Sequence, residues 1–287
     1  MLIGCHISIR RGYLEAAKAA KAMEARSFQY FPKNPRSLSV KTFDRRDAAA
    51  CAEYCGKYGL VSIAHTPYPT NLAVAPSELR QATVRSLIND LDICDACGSV
   101  GLVVHFGRWK GEDALQGYRY IIETLNEVLS RWEGRALVLL ENQAGEGAVF
   151  GTTLEELVHI RRLTVNPGKI GFCFDTCHAF ASGLWRGDNW EEVERAGERM
   201  DYFRHVRAVH LNDSRYPAGS GKDRHENIGR GLIGETNLRN FISRPWLEHV
   251  PVILETPATS PDTRLRELAW LRGRAVERNA GRNSGHS

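Results

Sequence analysis

Short runs of apolar, β-prone residues alternate along the chain with longer amphipathic segments. The apolar runs predict eight strands: Leu2–Ser8, Ser27–Phe31, Val61–Thr66, Gly101–His105, Ala136–Glu141, Lys169–Asp175, Arg207–Asp213 and Pro251–Thr256. The amphipathic segments place apolar residues near i, i+3, i+4 and i+7, the spacing of a helix with one buried face. They predict helices over Tyr13–Ala25, Asp44–Tyr58, Ser77–Cys97, Asp113–Arg131, Leu154–Leu163, Trp190–Tyr202, Glu235–Ile242 and Pro261–Glu277. Each predicted strand is thus followed by a predicted helix.

This alternation predicts an α/β fold, a (β/α)8 TIM barrel in a single domain over residues 1–278. Parallel strands that are buried on both faces read as continuous apolar runs, and eight strand–helix units are the number that closes such a barrel. A chain of 287 residues fits one barrel domain, and we find no linker or repeat that divides it. Residues 279–287 are Gly, Asn, Ser, Arg, Ala and His without apolar periodicity, which predicts a flexible tail.

Composition narrows the class of protein only slightly. Hydrophobic residues make up 43% of the chain and charged residues 25%, as in ordinary globular domains. The net charge of +4 is compatible with a polyanionic partner but does not by itself indicate one. The odd number of cysteines, seven, argues against a disulfide framework and favours a reducing compartment. Because no signal peptide or membrane span is recognisable, we expect a cytoplasmic protein, and nothing indicates more than a monomer.

Six of the predicted strands end in a side chain that ionises or binds metal. In a closed parallel barrel all carboxyl ends open on one face, so these side chains are predicted to converge there. One such residue alone is more often a cap or a surface residue. Six together require a cation, because buried charge must be paired or bound to metal. Mixed imidazole and carboxylate ligands suit zinc, with manganese or iron as alternatives. The six are His65, His105, Glu141, Asp175, His210 and Glu255.

Two further segments carry candidate ligands in loops. His178 follows the sixth strand in Asp175-Thr-Cys-His178, and the Gly-rich loop after the seventh strand contains Asp223-Arg-His225. Asp-x-His projects two side chains to the same side of an extended segment, although surface loops contain the pattern by chance. Cys177 is either a further ligand or, as is more usual for a cysteine in an apolar context, a packing residue.

Four motifs from residue 140 onwards resemble those of the endonuclease IV family. The similarity in order and spacing extends from Gly4-Cys-His-Ile-Ser8 to about Leu271. The motifs are Leu140-Glu-Asn-Gln-Ala-Gly-Glu-Gly147, Phe174-Asp-Thr-Cys-His-Ala-Phe-Ala-Ser-Gly183, Val209-His-Leu-Asn-Asp-Ser214 and Lys222-Asp-Arg-His-Glu-Asn-Ile-Gly-Arg-Gly-Leu-Ile-Gly234.

This resemblance implies a DNA repair endonuclease with three zinc ions. Such an enzyme hydrolyses the phosphodiester 5′ to abasic sites in double-stranded DNA, leaving a 3′-hydroxyl and a 5′-deoxyribose phosphate, and acts on blocked 3′ ends. Glu141 and Glu255 are its implied catalytic carboxylates, beside the attacking water. The implied ligands are His65, His105 and Glu141 for the first zinc, Glu141, Asp175, His210 and Glu255 for the second, and His178, Asp223 and His225 for the third. Manganese is an alternative at some of these positions.

The resemblance also implies DNA-binding side chains at the barrel mouth. Arg36, in Lys33-Asn-Pro-Arg36, and Tyr68, in His65-Thr-Pro-Tyr68, match positions of side chains inserted into DNA. The alternative for Lys33 and Arg36 is a solvated loop, and for Tyr68 a surface aromatic. This chain departs from the family pattern at His105-Phe-Gly-Arg-Trp109, at Ser8-Ile-Arg-Arg-Gly12 and at Arg230. The added arginines, Arg10, Arg11, Arg108 and Arg230, predict DNA binding with strong salt dependence.

Two other classes of protein remain open at this stage. A sugar isomerase or epimerase of the xylose isomerase type shares the barrel and several strand-end ligands, but has no use for a third metal at His178, Asp223 and His225. A lesion-binding protein without catalysis would tolerate the loss of a bridging carboxylate, whereas Glu141 is present. Presence of the third ligand group is therefore the feature that separates the nuclease from the isomerase.

Overall fold

Eight parallel strands close into a barrel in a computed structural model that describes residues 1–147, 150–258 and 260–283. The barrel strands are β1 (Leu2–His6), β2 (Ser27–Tyr30), β3 (Val61–His65), β4 (Gly101–Val104), β5 (Leu137–Glu141), β6 (Ile170–Asp175), β7 (Val206–His210) and β10 (Pro251–Leu254). Their order around the barrel is β1-β10-β7-β6-β5-β4-β3-β2. This confirms the predicted TIM barrel, and each strand end lies within three residues of its predicted position.

Helices cover the outside of the barrel, and all eight predicted ones are present. They are α1 (Tyr13–Ala22), α2 (Arg45–Tyr58), α3 (Glu78–Ala96), α4 (Ala114–Leu129), α5 (Leu154–Leu163), α7 (Trp190–Arg199), α8 (Gly234–Ile242) and α9 (Pro261–Asn283). The short helix α6 (Thr176–Ser182), which was not predicted, begins directly after β6, where the Asp175 side chain accepts the backbone N–H of His178 at 2.7 Å.

The last helix extends further than expected. It reaches Asn283 and so includes residues 279–283 of the segment predicted as a tail, while residues 284–287 lie outside the described residues. Among the helices that the structure describes, none combines the length and the apolar character that a membrane span requires.

Two layers of side chains fill the barrel towards its carboxyl-terminal mouth. Since successive strand residues point to opposite faces, a residue and the one two positions later share a face. The lower layer is apolar and consists of Ile63, Val103, Leu139, Cys173, Ala208 and Ile253. Two positions later on the same six strands come the predicted strand-end ligands: His65, His105, Glu141, Asp175, His210 and Glu255. The pleat of the strands thus places the ligands directly above a closed apolar plug.

The remaining two strands complete the polar layer. His6 at the end of β1 pairs with Gln29 on β2, and two positions earlier Gly4 pairs with Ser27. A Cβ atom on Gly4 would lie 1.7 Å from the carbonyl oxygen of Ser27, so this close approach of the strands requires glycine. His6 and Gln29 were not singled out by sequence analysis, although the same two-residue spacing identifies them.

A buried carboxylate organises the long loop after β7. This loop is closed by two short antiparallel strands, β8 (Asp213–Ser214) and β9 (His225–Glu226). The Asp213 side chain is fully buried and accepts five backbone N–H groups at 2.8 to 3.3 Å, from Ser214, Gly229, Gly231, Ile233 and Gly234. One carboxylate therefore fixes the loop that carries Asp223 and His225.

Candidate metal centre

A cavity of about 1040 Å³ opens at the barrel mouth. All nine predicted ligands come together at its base in three groups, and within each group the potential ligand atoms lie within 4.8 Å of one another. The first group is His65, His105 and Glu141; the second is Glu141, Asp175, His210 and Glu255; the third is His178, Asp223 and His225. Every grouping expected from the family resemblance is thus present as a spatial cluster.

Glu141 joins the first two groups. Its Oε2 atom lies 2.9 Å from Nε2 of His105 and 3.6 Å from Nε2 of His65. Its Oε1 atom lies 2.9 Å from Nδ1 of His210. The side chain is 1% exposed, so both oxygens are committed to the interior of the site. One carboxylate can therefore serve two cations at once.

Contacts among its own members and hydrogen bonds from Asn212 hold the second group in place. Nδ1 of His210 lies 3.1 Å from Oε2 of Glu255 and 3.8 Å from Oδ2 of Asp175. Asn212 donates from its side chain to Oδ2 of Asp175 at 2.7 Å and accepts the backbone N–H of Glu255 at 3.0 Å. Hydrogen bonds of this kind orient ligands before a metal binds.

The third group lies nearest to solvent. Asp223 stands between two histidines, with Oδ2 3.2 Å from Nε2 of His178 and Oδ1 3.3 Å from Nε2 of His225. The Asp223 side chain is 37% exposed and that of His225 19%, whereas His178 on α6 is buried. Two of the three residues belong to the loop that Asp213 organises.

Hydrogen bonds to backbone carbonyls fix which ring nitrogen carries the proton in two of the histidines. Nδ1 of His65 donates to the carbonyl oxygen of Thr66 at 2.8 Å, and Nδ1 of His178 donates to that of Asn142 at 2.9 Å. Nε2 of each ring then carries the lone pair, and it lies 3.6 Å from Oε2 of Glu141 in His65 and 3.2 Å from Oδ2 of Asp223 in His178. Because a nitrogen lone pair and a carboxylate repel each other unless a cation lies between them, this arrangement fits a metal site.

Unpartnered polar atoms point to the same conclusion. Oε2 of Glu141 and Nε2 of His225 are buried and have no hydrogen-bond partner, although histidine or carboxylate atoms lie near both. Buried polar atoms are normally satisfied, so these atoms are suited to a partner of another kind. Nitrogen and oxygen donors from histidine and carboxylates are ligands that zinc accepts.

The electrostatics of the site favour cations strongly. Burial alone would lower the pKa of His225, but the contact with Asp223 and the other nearby carboxylates outweigh burial and raise it to about 9. Burial alone would raise the pKa of Glu255, but the charge of His210 outweighs it and lowers the value to about 2. The site therefore attracts positive charge, either as protons on the histidines or as metal ions.

Cys177 is buried close to Asp175 and His225, within reach of the same space. Burial raises the pKa of its thiol to about 12, so the thiol stays protonated at neutral pH. A protonated thiol is a poor metal ligand, which favours the interpretation of Cys177 as a packing residue.

The two predicted DNA-binding residues lie on adjoining loops at the rim. Tyr68 lines the cavity, is 71% exposed and donates its backbone N–H to the carbonyl oxygen of Pro35 at 2.8 Å, which places the exposed Arg36 beside it. Lys33 behaves differently, since it is buried and its Nζ lies 3.0 Å from Oδ1 of Asp90. It is neither a solvated cation nor exposed to a DNA partner, and instead anchors the loop.

The four added arginines are exposed. Arg10, Arg11, Arg108 and Arg230 all lie on the surface, and Arg108 lines the cavity together with Trp109 and Lys110. The segment that departs from the family pattern thus contributes directly to the wall of the cavity.

Fold and site together define a metal-binding barrel, and comparisons with known proteins give its family. A family model described as xylose isomerase-like TIM barrel matches residues 17–274. The chain is 42% identical over 272 residues to a probable endonuclease 4 of Symbiobacterium thermophilum, covering 95% of this chain and 99% of the relative. A probable endonuclease 4 of Aquifex aeolicus is 37% identical over 260 residues, which cover 89% of this chain and 92% of that one.

Solved structures agree. The crystal structure of endonuclease IV from Thermus thermophilus superimposes with a TM-score of 0.84 at 31% identity, covering 96% of this chain and all of that one. The chain therefore belongs to the endonuclease IV family, within the xylose isomerase-like TIM barrels, and is a hydrolase of the deoxyribonuclease IV type. The resemblance drawn from its motifs is confirmed.

Proposed function

We propose that the protein cleaves double-stranded DNA on the 5′ side of abasic sites with three zinc ions as cofactors, leaving a 3′-hydroxyl and a 5′-deoxyribose phosphate. The observation that carries this proposal is the set of three ligand groups joined around Glu141 at the base of an open cavity. Membership of the endonuclease IV family supports it. We expect the enzyme to act as a monomer on the chromosome and also on blocked 3′ ends.

The residues assigned to each ion follow the spatial groups. His65 and His105 would hold the first zinc and share Glu141 with the second, which Asp175, His210 and Glu255 would complete; His178, Asp223 and His225 would hold the third. When bound, such ions make water a stronger nucleophile and neutralise charge on the phosphate and the leaving oxygen.

Glu141 and Glu255 are the carboxylates nearest to the chemistry. Glu141 is buried and places one oxygen towards each of the first two groups. Glu255 lines the open cavity, with its side chain 20% exposed, and remains ionised at neutral pH because its pKa is about 2. An ionised carboxylate at this position can accept a hydrogen bond from the attacking water and so orient it towards the phosphorus.

Arg36 and Tyr68 would position the DNA. The guanidinium of Arg36 is suited to a phosphate or a base edge. The ring of Tyr68 is suited to the space left by a missing base, since it stands free at the rim with its inner edge against Phe31, 5.2 Å between ring centroids. The cavity would then receive the abasic sugar, displaced from the helix.

A sugar isomerase or epimerase would use the same barrel without the third group. The crystal structure of a D-tagatose 3-epimerase-like protein superimposes with a TM-score of 0.72 at 19% identity over 98% of this chain and 99% of that one, a likeness of fold alone. The clustered third group and the higher identity to endonuclease 4 proteins favour the nuclease.

The test is incubation of the zinc-loaded protein with a duplex that carries one tetrahydrofuran abasic analogue. We expect a single cut 5′ to the lesion and no cut in an otherwise identical intact duplex. Metal analysis should give three ions per chain. An uncut lesion duplex would refute the proposed activity, and one or two ions would favour the isomerase.

A further inference from the structure

One amide side chain contacts two ligands of the second group at once. Gln29, near the end of β2, is fully buried and points into the polar layer. Its Oε1 lies 2.7 Å from Nε2 of His210, and its Nε2 donates to Oε1 of Glu255 at 2.6 Å. The same Nε2 lies 3.4 Å from Nδ1 of His6. The amide is therefore satisfied at both ends within the site.

The orientation of this amide is determined by its neighbours. Glu255 is an acceptor only, so it must face the NH2 end of Gln29 and not the oxygen. The oxygen then faces His210, whose Nε2 must be the donor. Nδ1 of His210 is left to face the group, 2.9 Å from Oε1 of Glu141 and 3.1 Å from Oε2 of Glu255. One side chain thus selects the ligand nitrogen of the histidine.

Gln29 also gives the two carboxylate oxygens of Glu255 different roles. It holds Oε1 at 2.6 Å, which leaves Oε2 directed at the group. The charged side chains of similar length and the shorter amide do not perform both tasks. A glutamate would accept from His210 but repel Glu255, an asparagine is one methylene shorter, and lysine or arginine has no acceptor for the histidine N–H.

We propose that Gln29 is the positioning residue of the second metal group, fixing His210 as an Nδ1 ligand and directing Oε2 of Glu255 to the metal. This inference rests on the proposed function to the extent that this group binds a metal ion. Hydrogen-bond partners of metal ligands commonly change metal affinity by about 10- to 100-fold when they are removed.

The test compares Gln29→Met with the matched control Gln81→Met. Methionine keeps the length of the side chain and removes both hydrogen bonds. Gln81 is a half-buried glutamine whose side chain also makes a hydrogen bond, donating to Glu127 at 3.0 Å between the outer helices α3 and α4. Metal content is measured after dialysis against increasing chelator. We expect Gln29→Met to lose one ion per chain at a chelator strength about 10- to 100-fold lower than that needed to remove the same ion from the unchanged protein or from the control.

The outcomes separate this inference from the proposed function. If the unchanged protein binds no metal, the proposed function fails. If it binds its metals and Gln29→Met retains all of them equally well, the role of Gln29 is refuted while the function stands. Parallel loss of all ions together would indicate a general structural defect and would also refute the role.

A second variant keeps the test decisive if Gln29→Met does not fold. Gln29→Glu retains the acceptor for the N–H of His210. We therefore expect the ¹⁵N NMR shifts of the His210 ring to show a protonated Nε2 in the zinc-loaded protein. A variant that lacks His210 assigns these signals. A change to a protonated Nδ1 would overturn the assignment of His210.

Discussion

The second and third candidate metal groups differ in how the chain builds them. The second group lies on β5, β6, β7 and the end of β10, where His210 and Asp175 have no exposed side-chain surface and the hydrogen-bonded barrel fixes each direction. The third group draws two of its residues from a loop, and Asp223 is 37% exposed. Strand-borne ligands are positioned by the fold itself, whereas loop-borne ligands depend on a few specific hydrogen bonds.

The largest expected effect comes from the carboxylate that the first two groups share. Glu141→Gln removes the charge that faces both groups while keeping the shape of the side chain. We expect the metal content to fall from three ions per chain to one. We expect the rate of incision to fall by at least about 10³-fold, which is more than the loss of a single electrostatic contact usually causes. Elemental analysis and the lesion-duplex assay measure these effects, with Glu127→Gln on α4 as the control. Retention of three ions would show that Glu141 is not shared.

A smaller and more selective effect is expected at the loop. Asp213→Asn replaces a carboxylate that accepts five backbone N–H groups with an amide that presents a donor to some of them. Since hydrogen bonds to buried charged groups contribute about 1.5–3 kcal/mol each, we expect a loss of about 3 kcal/mol in stability. We also expect loss of the third ion alone.

Urea unfolding and metal analysis test this variant against Asp201→Asn, a substitution at an exposed surface pair. Loss of the second ion before the third would contradict the distinction between strand-borne and loop-borne ligands.

The ligands that can be predicted from the sequence alone are the strand-borne ones, and the loop-borne ones are harder to predict. The six strand-end ligands follow from apolar runs that end in a polar residue, because the two-residue period of a strand decides their direction. His178, Asp223 and His225 were only weak candidates from local pattern and were grouped as one ligand set by the family motifs, since no local period fixes a loop. Gln29 was missed because Ser27-Phe-Gln-Tyr30 is a buried strand with its polar residue inside the run. Lys33 was misjudged because its partner Asp90 is distant in sequence.

The pH dependence of metal binding should be visible in the third group. The pKa of His225 is raised to about 9, so its proton stabilises the metal-free fold fully below the ordinary value near 6.5, and this stabilisation is lost as the pH rises through 9. A metal ion must displace that proton. We therefore expect zinc affinity of this group to rise by up to about tenfold per pH unit and to level off near pH 9.

Competition with a chelator of known pH dependence measures this affinity. The gap in unfolding temperature between zinc-loaded and metal-free protein should widen over the same range. An affinity that does not change between pH 6.5 and 8.5 would show that His225 does not compete with a proton for the metal.

The smallest expected effects lie at the rim, where no metal ligand is involved. Arg36→Ala should weaken binding to lesion DNA. It should also reduce the slope of log affinity against log salt concentration by about one, the change expected for the loss of one phosphate contact. Tyr68→Ala should weaken binding by roughly tenfold through lost stacking, without changing that slope.

Fluorescence anisotropy over a salt series distinguishes the two variants, with Tyr58→Ala as the control. Tyr58 ends α2 just before β3 begins, at the opposite end of the barrel from the mouth. Equal changes in slope for Arg36 and Tyr68 would mean that the rim acts through charge alone, and the ring would lose its proposed place in the DNA.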